Sequence, residues 1–496
     1  MKEQNFIILP AKGLVARFSE NASVDPNVTD FLTKLSGHTK SVKAFSMKTT
    51  RLAKALPIKV LDSVHEDGAQ LVKMDPDKIS DFRLAFPGVR LIPEVFFNKA
   101  VLPRQKLAPG IKKLTVGRNV KISVTDNQGK GISGADVIAF TDFEKREGAQ
   151  GKTGGNGAVT LKFPAKTKSI ERVYIYPKNT YWPFLRKRIM LRAPELAFKL
   201  ELIDPLYRDA LRYFYDNTKM KYLNSSIKVA VIDTGVGIHR DINLIGGECT
   251  VEGEPPSDYS DYDGHGTHVA GIISSFARNS NNMPGIEILS FRVFPKSGGG
   301  ASNYSIVKAI DRAVQSGCLL INMSLGGGDA DDATKDAITD AQSKGVICFV
   351  ATGNDDRGQV CFPASFSLSL AVSAMGRKGT MPKNSEPNDF IKSPYGRDKK
   401  NFVASFSNIG PEVDLIGPGV GIISCSPDDK YAVMSGTSMA CPAATGIAAR
   451  LLIEEASIIH QAPDSNRANS MIKFLGVKVK SLGFKSQFEG KGLITL

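Results

Sequence analysis

Five short apolar runs punctuate the second half of the chain, and helical stretches fall between them. The runs are residues 228–232, 288–293, 319–323, 346–350 and 370–374; the helical stretches include residues 268–276, 304–315 and 333–344. A strand that is apolar on both faces must be covered on both faces. A helix between successive strands returns the chain to the same end of the sheet. Residues 201–496 are therefore expected to form an α/β domain around a doubly wound, mostly parallel sheet.

The rest of the chain follows other patterns. At 496 residues it is too long for one hydrophobic core. Residues 1–100 read as strand, helix, strand, strand, helix, strand, which predicts a small α+β domain. Residues 101–113 hold Pro103, Pro109, Gly110 and several basic side chains, a linker composition. In residues 114–200, alternating runs such as Val120-Lys121-Ile122-Ser123-Val124 are separated by turn signals such as Gly154-Gly155-Asn156-Gly157. Short alternating strands with regular turns predict a small β-sandwich. Residues 377–400 are polar, contain prolines and are rich in Lys and Arg; they read as a loop inserted into the α/β domain.

The net charge is +14, but it is unevenly spread: residues 1–200 carry +17 and residues 201–496 carry −3. A basic half can meet nucleic acid or an anionic surface. It can equally dock on the acidic half of its own chain, and with no nucleic-acid-binding motif in view the internal partner is the expectation. No run approaches the 18 to 20 apolar residues of a membrane span. The N-terminal run Phe6-Ile7-Ile8-Leu9 is shorter than the apolar core of a secretory leader, so a cytoplasmic location is expected unless the chain leaves by another route. The six cysteines, Cys249, Cys318, Cys348, Cys361, Cys425 and Cys441, have no zinc-site spacing and are read as thiols.

Four segments carry chemistry. Val229-Ala230-Val231-Ile232-Asp233-Thr234-Gly235 puts a carboxylate at the end of a buried strand, where sites gather in open α/β sheets. Asp263-Gly264-His265-Gly266-Thr267-His268 brings a histidine into a helix. Val350-Ala351-Thr352-Gly353-Asn354 follows a strand with an amide, and Ser435-Gly436-Thr437-Ser438-Met439-Ala440 opens a helix with a serine. A serine hydroxyl needs an imidazole to take its proton, and the imidazole needs a carboxylate to fix its tautomer. An amide donor and a backbone N–H at a helix start can meet the charge on a tetrahedral intermediate.

These four motifs, in this order, resemble those of the subtilisin-like serine proteases, the subtilases. The resemblance implies a serine endopeptidase acting on protein or peptide substrates. It implies Asp233 as the orienting acid, His265 as general base and acid, Ser438 as nucleophile and Asn354 as oxyanion donor. His265 is preferred to His268 because the first His of the motif is the catalytic one in the family. Gly300, Ala301 and Ser302, with Ser324, Leu325 and Gly326 opposite, resemble the two edges that grip substrate as a β-strand. Cys361 matches a position at the floor of the pocket for the residue before the cleaved bond. The resemblance runs from about residue 204 to the C-terminus, ending at Gly490-Lys491-Gly492-Leu493.

Residues 1–100 resemble the family's inhibitory propeptide, which implies a zymogen held by its own N-terminal domain as an intramolecular inhibitor. The β-sandwich between propeptide and protease is a departure. It leaves the maturation cut open, near residues 97–109, near 190–205, or absent. No metal or other cofactor is expected. A calcium ion is the one candidate, since Asp241 matches a ligand of the family's strong site, although residues 277–285 are shorter than the loop that completes it. Acidic residues near the cleft (Asp258, Asp261, Asp263, Asp329, Asp331, Asp332, Asp355 and Asp356) suggest a basic residue at the cleaved position or just upstream. The competing reading pairs them within the chain. Two alternatives to general proteolysis stay open: a maturation protease dedicated to one partner, and a silent binding scaffold.

Overall fold

The computed structural model describes residues 3–11, 13, 26–37, 58–110, 116–215, 225–276 and 285–496. The chain begins with β1 (Gln4–Pro10), α1 (Pro26–Ser36), β2 (Lys59–Ser63), β3 (Gln70–Met74), α2 (Ile79–Ala85) and β4 (Val89–Pro93). The four strands form one antiparallel sheet in the order β2-β3-β1-β4. Side chains alternate across a strand, so β1 serves two cores. Phe6 and Ile8 pack with Phe31, Leu32 and Phe82 beneath the unit's own helices. Ile7 and Leu9 join Leu71 and Ile92 on the opposite face. Strand β5 (Phe96–Lys99) follows and leaves this sheet altogether.

Seven strands come next: β6 (Arg118–Thr125), β7 (Asp136–Asp142), β8 (Glu147–Lys152), β9 (Ala158–Phe163), β10 (Ser169–Tyr176), β11 (Phe184–Met190) and β12 (Glu195–Lys199). They make two sheets, ordered β11-β10-β7-β8 and β12-β6-β9. The inward residues Val120, Ile122, Val124, Val137, Phe163 and Val173 fill the space between them.

The remainder is built on α3 (Ala210–Phe214), β13 (Ile227–Asp233), β14 (Leu244–Cys249), α4 (His265–Ser274), β15 (Ile286–Arg292), β16 (Ala301–Ser302), α5 (Asn303–Gln315), β17 (Leu320–Met323), β18 (Leu325–Gly326), α6 (Asp332–Ser343), β19 (Ile347–Ala351), β20 (Ser369–Arg377), β21 (Asn401–Val403), β22 (Leu415–Pro418), β23 (Ile422–Ser426), β24 (Lys430–Met434) and α7 (Thr437–Ile453). The main sheet runs β14-β15-β13-β17-β19-β20-β21, with β22 also on β20. Its pairs are parallel except β20 with β21. Val269, Ile272 and Ile273 of α4 pack with Met439 and Ile447 of α7 on one face. Tyr304, Val307 and Ile310 of α5 pack with Ala337 and Ile338 of α6 on the other, and there they meet Ile7, Leu9, Leu71 and Ile92 of the first unit.

Polar contacts frame that shared core. Arg90 reaches Asp336 at 2.5 Å, Lys308 reaches Asp62 at 2.6 Å, and His65 lies 3.0 Å from Asp311. The inserted residues 377–400 also find a partner in the chain itself. Leu185 N–H donates to the Asn384 carbonyl at 2.9 Å, Glu386 N–H to the Pro183 carbonyl at 2.8 Å, and Asp389 pairs with Arg172 and Lys187. The insertion therefore fastens the β-sandwich to the main sheet. All six cysteines are free thiols. No helix among the described residues is long and apolar enough to cross a membrane.

Candidate active site

Asp233 is the last residue of β13, and His265 opens α4. What brings them together is a close approach at Gly266. A Cβ at Gly266 would stand 2.0 Å from the Gly235 carbonyl oxygen and 3.2 Å from Asp233 Cβ. The loop before α4 is organised by Asp261. Its carboxylate accepts from the N–H groups of Asp263, Gly264 and Thr267 and from the hydroxyls of Thr234 and Thr267. The result is a buried pair, with His265 Nδ1 2.7 Å from Asp233 Oδ1. Asp233 Oδ1 also accepts Thr234 N–H at 2.7 Å. That leaves His265 Nε2 without a hydrogen-bond partner.

Ser438 lies in the first turn of α7, and Pro442 sits one turn further on. Proline has no N–H to donate back, so the Ser438 carbonyl loses its helical partner. Ser324 Oγ takes the vacancy, donating to that carbonyl at 3.0 Å. Ser438 Oγ in turn donates to the Ser324 carbonyl at 3.0 Å. Asn322 Nδ2 donates to Ser324 Oγ, and Thr445 Oγ1 donates to Asn322 Oδ1, both at 3.0 Å. The helix start is thus tied to the end of β17 by a buried network.

Asn354 Oδ1 accepts Thr437 N–H at 2.9 Å and lies 3.1 Å from Thr437 Oγ1. Its oxygen is committed there, so its Nδ2 is the end that faces the cleft. A Cβ at Gly436 would stand 2.7 Å from the Ala100 carbonyl oxygen and 3.5 Å from Asn354 Nδ2. Only glycine leaves room there for another stretch of backbone.

That backbone belongs to the chain itself. β5 lies antiparallel between β16 and β18, pairing Phe97 with Ala301, Phe96 with Ser302, Lys99 with Leu325 and Asn98 with Gly326. A Cβ at Gly300 would meet Phe96 Cβ at 3.0 Å. Ala100 N–H donates to the Ser324 carbonyl at 3.1 Å, Leu102 N–H to the Ser435 carbonyl at 3.2 Å, and Ser438 N–H to the Ala100 carbonyl at 3.0 Å. The Ala100–Val101 peptide bond therefore lies across the helix start that carries Ser438. Phe97 is fully buried against Gly328, and Lys99 Nζ lies 2.5 Å from Asp263 Oδ2.

The structure thus brings Gly300, Ala301, Ser302, Ser324, Leu325 and Gly326 against one strand. Cys361 sits behind Gly326, and its Sγ accepts from Asn408 Nδ2 at 3.2 Å. Burial, with Asp355 beside it, pushes its thiol up to about 11, so it stays protonated. Most of the acidic residues are occupied within the chain. Asp258 pairs with Arg292, Asp261 organises the loop, Asp331 caps α6, and Asp355 accepts from Asn408. Asp263 meets a lysine of the segment in the cleft. Thr437, Asn322, Thr445 and Asn408 escaped the sequence reading because their roles depend on contacts between distant segments. The one local signal was Thr437, which adjoins the nucleophile.

His239, Asp241 and Cys425 bring ligand atoms within 4.8 Å of one another. The donors there are already engaged: His239 Nε2 lies 3.1 Å from the Lys430 carbonyl, His239 Nδ1 accepts Asp241 N–H at 3.1 Å, and Tyr431 donates to Asp241 at 2.5 Å. A thiol and an imidazole are also poor ligands for a hard cation such as calcium, which takes six to eight oxygens. Residues 277–284, which the short-loop argument concerned, lie outside the described residues.

An α/β sheet with a buried Asp–His pair, a serine at a helix start and an amide beside it defines a serine protease of the subtilisin-like class. Comparison of the sequence agrees: the model of the subtilase family matches residues 224–468. Subtilisin Savinase of Lederbergia lenta is 35% identical over 228 residues, 45% of this chain and 76% of its own length. Subtilisin DY of Bacillus licheniformis is 31% identical over 283 residues, 55% of this chain and 91% of its own. M-protease of Shouchella clausii (strain KSM-K16) is 35% identical over 228 residues, but the chain spans only 53% of that relative. The chain belongs to the subtilase family.

Proposed function

We propose that the chain is a serine endopeptidase made as a self-inhibited zymogen, and that its own Ala100–Val101 bond is its first substrate. The observation that carries this reading is the bond from Ser438 N–H to the Ala100 carbonyl. It sets the carbonyl carbon of Ala100 beside the nucleophile.

The proposed steps use these residues in turn. The Ser438 hydroxyl leaves the Ser324 carbonyl for His265 Nε2, which is free to accept its proton. Oγ attacks the Ala100 carbon, and Asp233 stabilises the imidazolium that forms. Ser438 N–H and Asn354 Nδ2 meet the oxyanion. Collapse breaks the C–N bond, and His265 returns the proton to the departing Val101 amine. Water, activated by the same imidazole, then releases Ala100 as a carboxylate. Residues 1–100 remain as an inhibitor because the sheet pairing and the shared apolar core outlast the cut.

The segment in the cleft also suggests a preference: a small residue before the cleaved bond, a basic residue one further upstream, and an aromatic two beyond that. Of the two places the acidic residues suggested for a basic side chain, this favours the one just upstream of the cleaved position, since it is Lys99 that meets Asp263. The test is intact mass of the purified chain beside Ser438→Ala. Wild type should resolve into 1–100 and 101–496 while the variant stays whole. A wild type as intact as the variant would refute self-cleavage.

A further inference from the structure

Beyond Leu102 the chain does not leave the protein. It turns onto the β-sandwich and is held there through Arg104, Gln105, Leu107 and Ala108. Arg104 lies over the Tyr176 ring at 5.4 Å, and its guanidinium reaches Asp136 Oδ2 at 3.3 Å and the Pro177 carbonyl at 3.2 Å. Gln105 N–H donates to the Tyr176 hydroxyl at 3.2 Å, and Arg146 donates to the Gln105 side chain. Leu107 packs on an apolar cluster that includes Phe140, Tyr174 and Leu185. Ala108 N–H donates to the Arg146 carbonyl at 3.0 Å.

This face is also held in fixed register with the catalytic centre. Tyr176, which receives the segment, donates its hydroxyl to Glu386 of the insertion at 2.7 Å. The insertion is anchored to β20 and β21 of the main sheet, and Thr180 N–H donates to the Tyr431 carbonyl on β24 at 3.0 Å. A sandwich serving only as a spacer would need no such strap. The segment it holds is in line with the cleaved bond, with Arg104 the fourth residue past it and Leu107 the seventh.

We propose that the β-sandwich is a substrate-binding surface for the part of a polypeptide downstream of the cleaved bond, and that it selects a cation at the fourth position and an apolar residue at the seventh. Residues 104–108 fill it in the uncut chain and show what it takes. The occupant is an extended, basic polypeptide segment. Its cation is met by the Tyr176 face and the Asp136 carboxylate, and its apolar side chain by the Phe140, Tyr174 and Leu185 cluster on the face of the β11-β10-β7-β8 sheet that lies away from the sandwich core. The proposal rests on the protease reading above.

The test uses the self-processed chain carrying Arg104→Ala and Leu107→Ala, after residues 1–100 have been released from the cleft, so that the resident segment yields its place. Two peptides are compared, one matching residues 96–102 and one matching residues 96–108. The longer should show kcat/KM at least about tenfold higher, mainly through KM. Replacing its arginine with glutamate should remove the gain, and adding Asp136→Lys to the enzyme should restore cleavage of the glutamate peptide. Equal kcat/KM for the two peptides would overturn the proposal and leave the protease reading standing. Failure to cut either peptide would overturn both.

Discussion

Asn354 has an acceptor end and a donor end, and Thr437 takes the first. Because its Oδ1 is committed to Thr437, Nδ2 needs no reorganisation when charge develops on the substrate oxygen. Asn354→Ala should therefore lower kcat by roughly a hundred- to a thousandfold with little change in KM, read on a short peptide substrate. An unchanged kcat would remove Asn354 from the oxyanion site. His268, one turn below His265, answers to a different force. Burial, aided by the neighbouring His265, pushes its imidazole down to about 3. Its Nε2 lies 3.1 Å from the Ile422 carbonyl. In the unfolded chain it would take a proton near pH 6.5. Between about pH 6.5 and 3 the unfolded state thus binds the extra proton, so this group's contribution to stability is whole above the window and is lost as pH falls through it. Denaturant titrations of Ser438→Ala, which cannot digest itself, should show stability dropping across that window. His268→Gln should flatten the slope by close to one proton, and an identical slope would show that His268 is not the group responsible.

At the scale of elements, two glycines decide how closely α4 can sit. Gly266 brings its first turn onto the loop after β13, and Gly446 of α7 lets Phe276 and Ile273 approach. A Cβ at Gly446 would stand 2.4 Å from the Phe276 ring. Gly266→Ala would meet backbone, which has nowhere to go, and should part His265 from Asp233. Self-cleavage should slow by on the order of a thousandfold or more, as when the imidazole loses the group that fixes its tautomer. Gly446→Ala meets a ring that can shift, and should cost about 1–3 kcal/mol of stability, the range for overpacking, with the cut rate largely kept. The comparison of the two rates by intact mass checks both. The five apolar strands of the main sheet, the helices between them and the four motifs were legible beforehand because each depends on local periodicity or on a short run of residues. The Ser324–Ser438 exchange, the pairing of Lys99 with Asp263 and the strap from the insertion to the sandwich were not. Each joins segments far apart in sequence, and no spacing rule encodes such a meeting. The eight acidic residues mark the same limit, since composition could count them but could not say which were already engaged inside the protein.

For the molecule as a whole, part of the basic excess of the first 200 residues is met by acidic groups of the same chain. Arg90 of β4 meets Asp336 of α6, Lys99 meets Asp263, and the apolar face of the first sheet lies on α5 and α6. If the chain is the zymogen proposed above, these contacts, together with Lys308–Asp62, His65–Asp311 and the β5 pairings, would hold residues 1–100 in place after the cut, and activity on other substrates would be governed by their release. The Arg90–Asp336 pair is partly shielded by the packing around it, yet still open enough for solvent to screen it, and a contribution of about 1 kcal/mol is the appropriate scale. Asp336→Arg should therefore raise the release rate of residues 1–100 by at least about fivefold, because it removes an attraction and adds a repulsion. The reversed pair, Arg90→Asp with Asp336→Arg, should recover much of the loss. Release is read as the lag before cleavage of a peptide substrate, and raising the salt concentration should shrink the difference between wild type and the single variant. A lag unaffected by the single change, or a double variant no slower to release than the single one, would show that the apolar face alone holds the inhibitor.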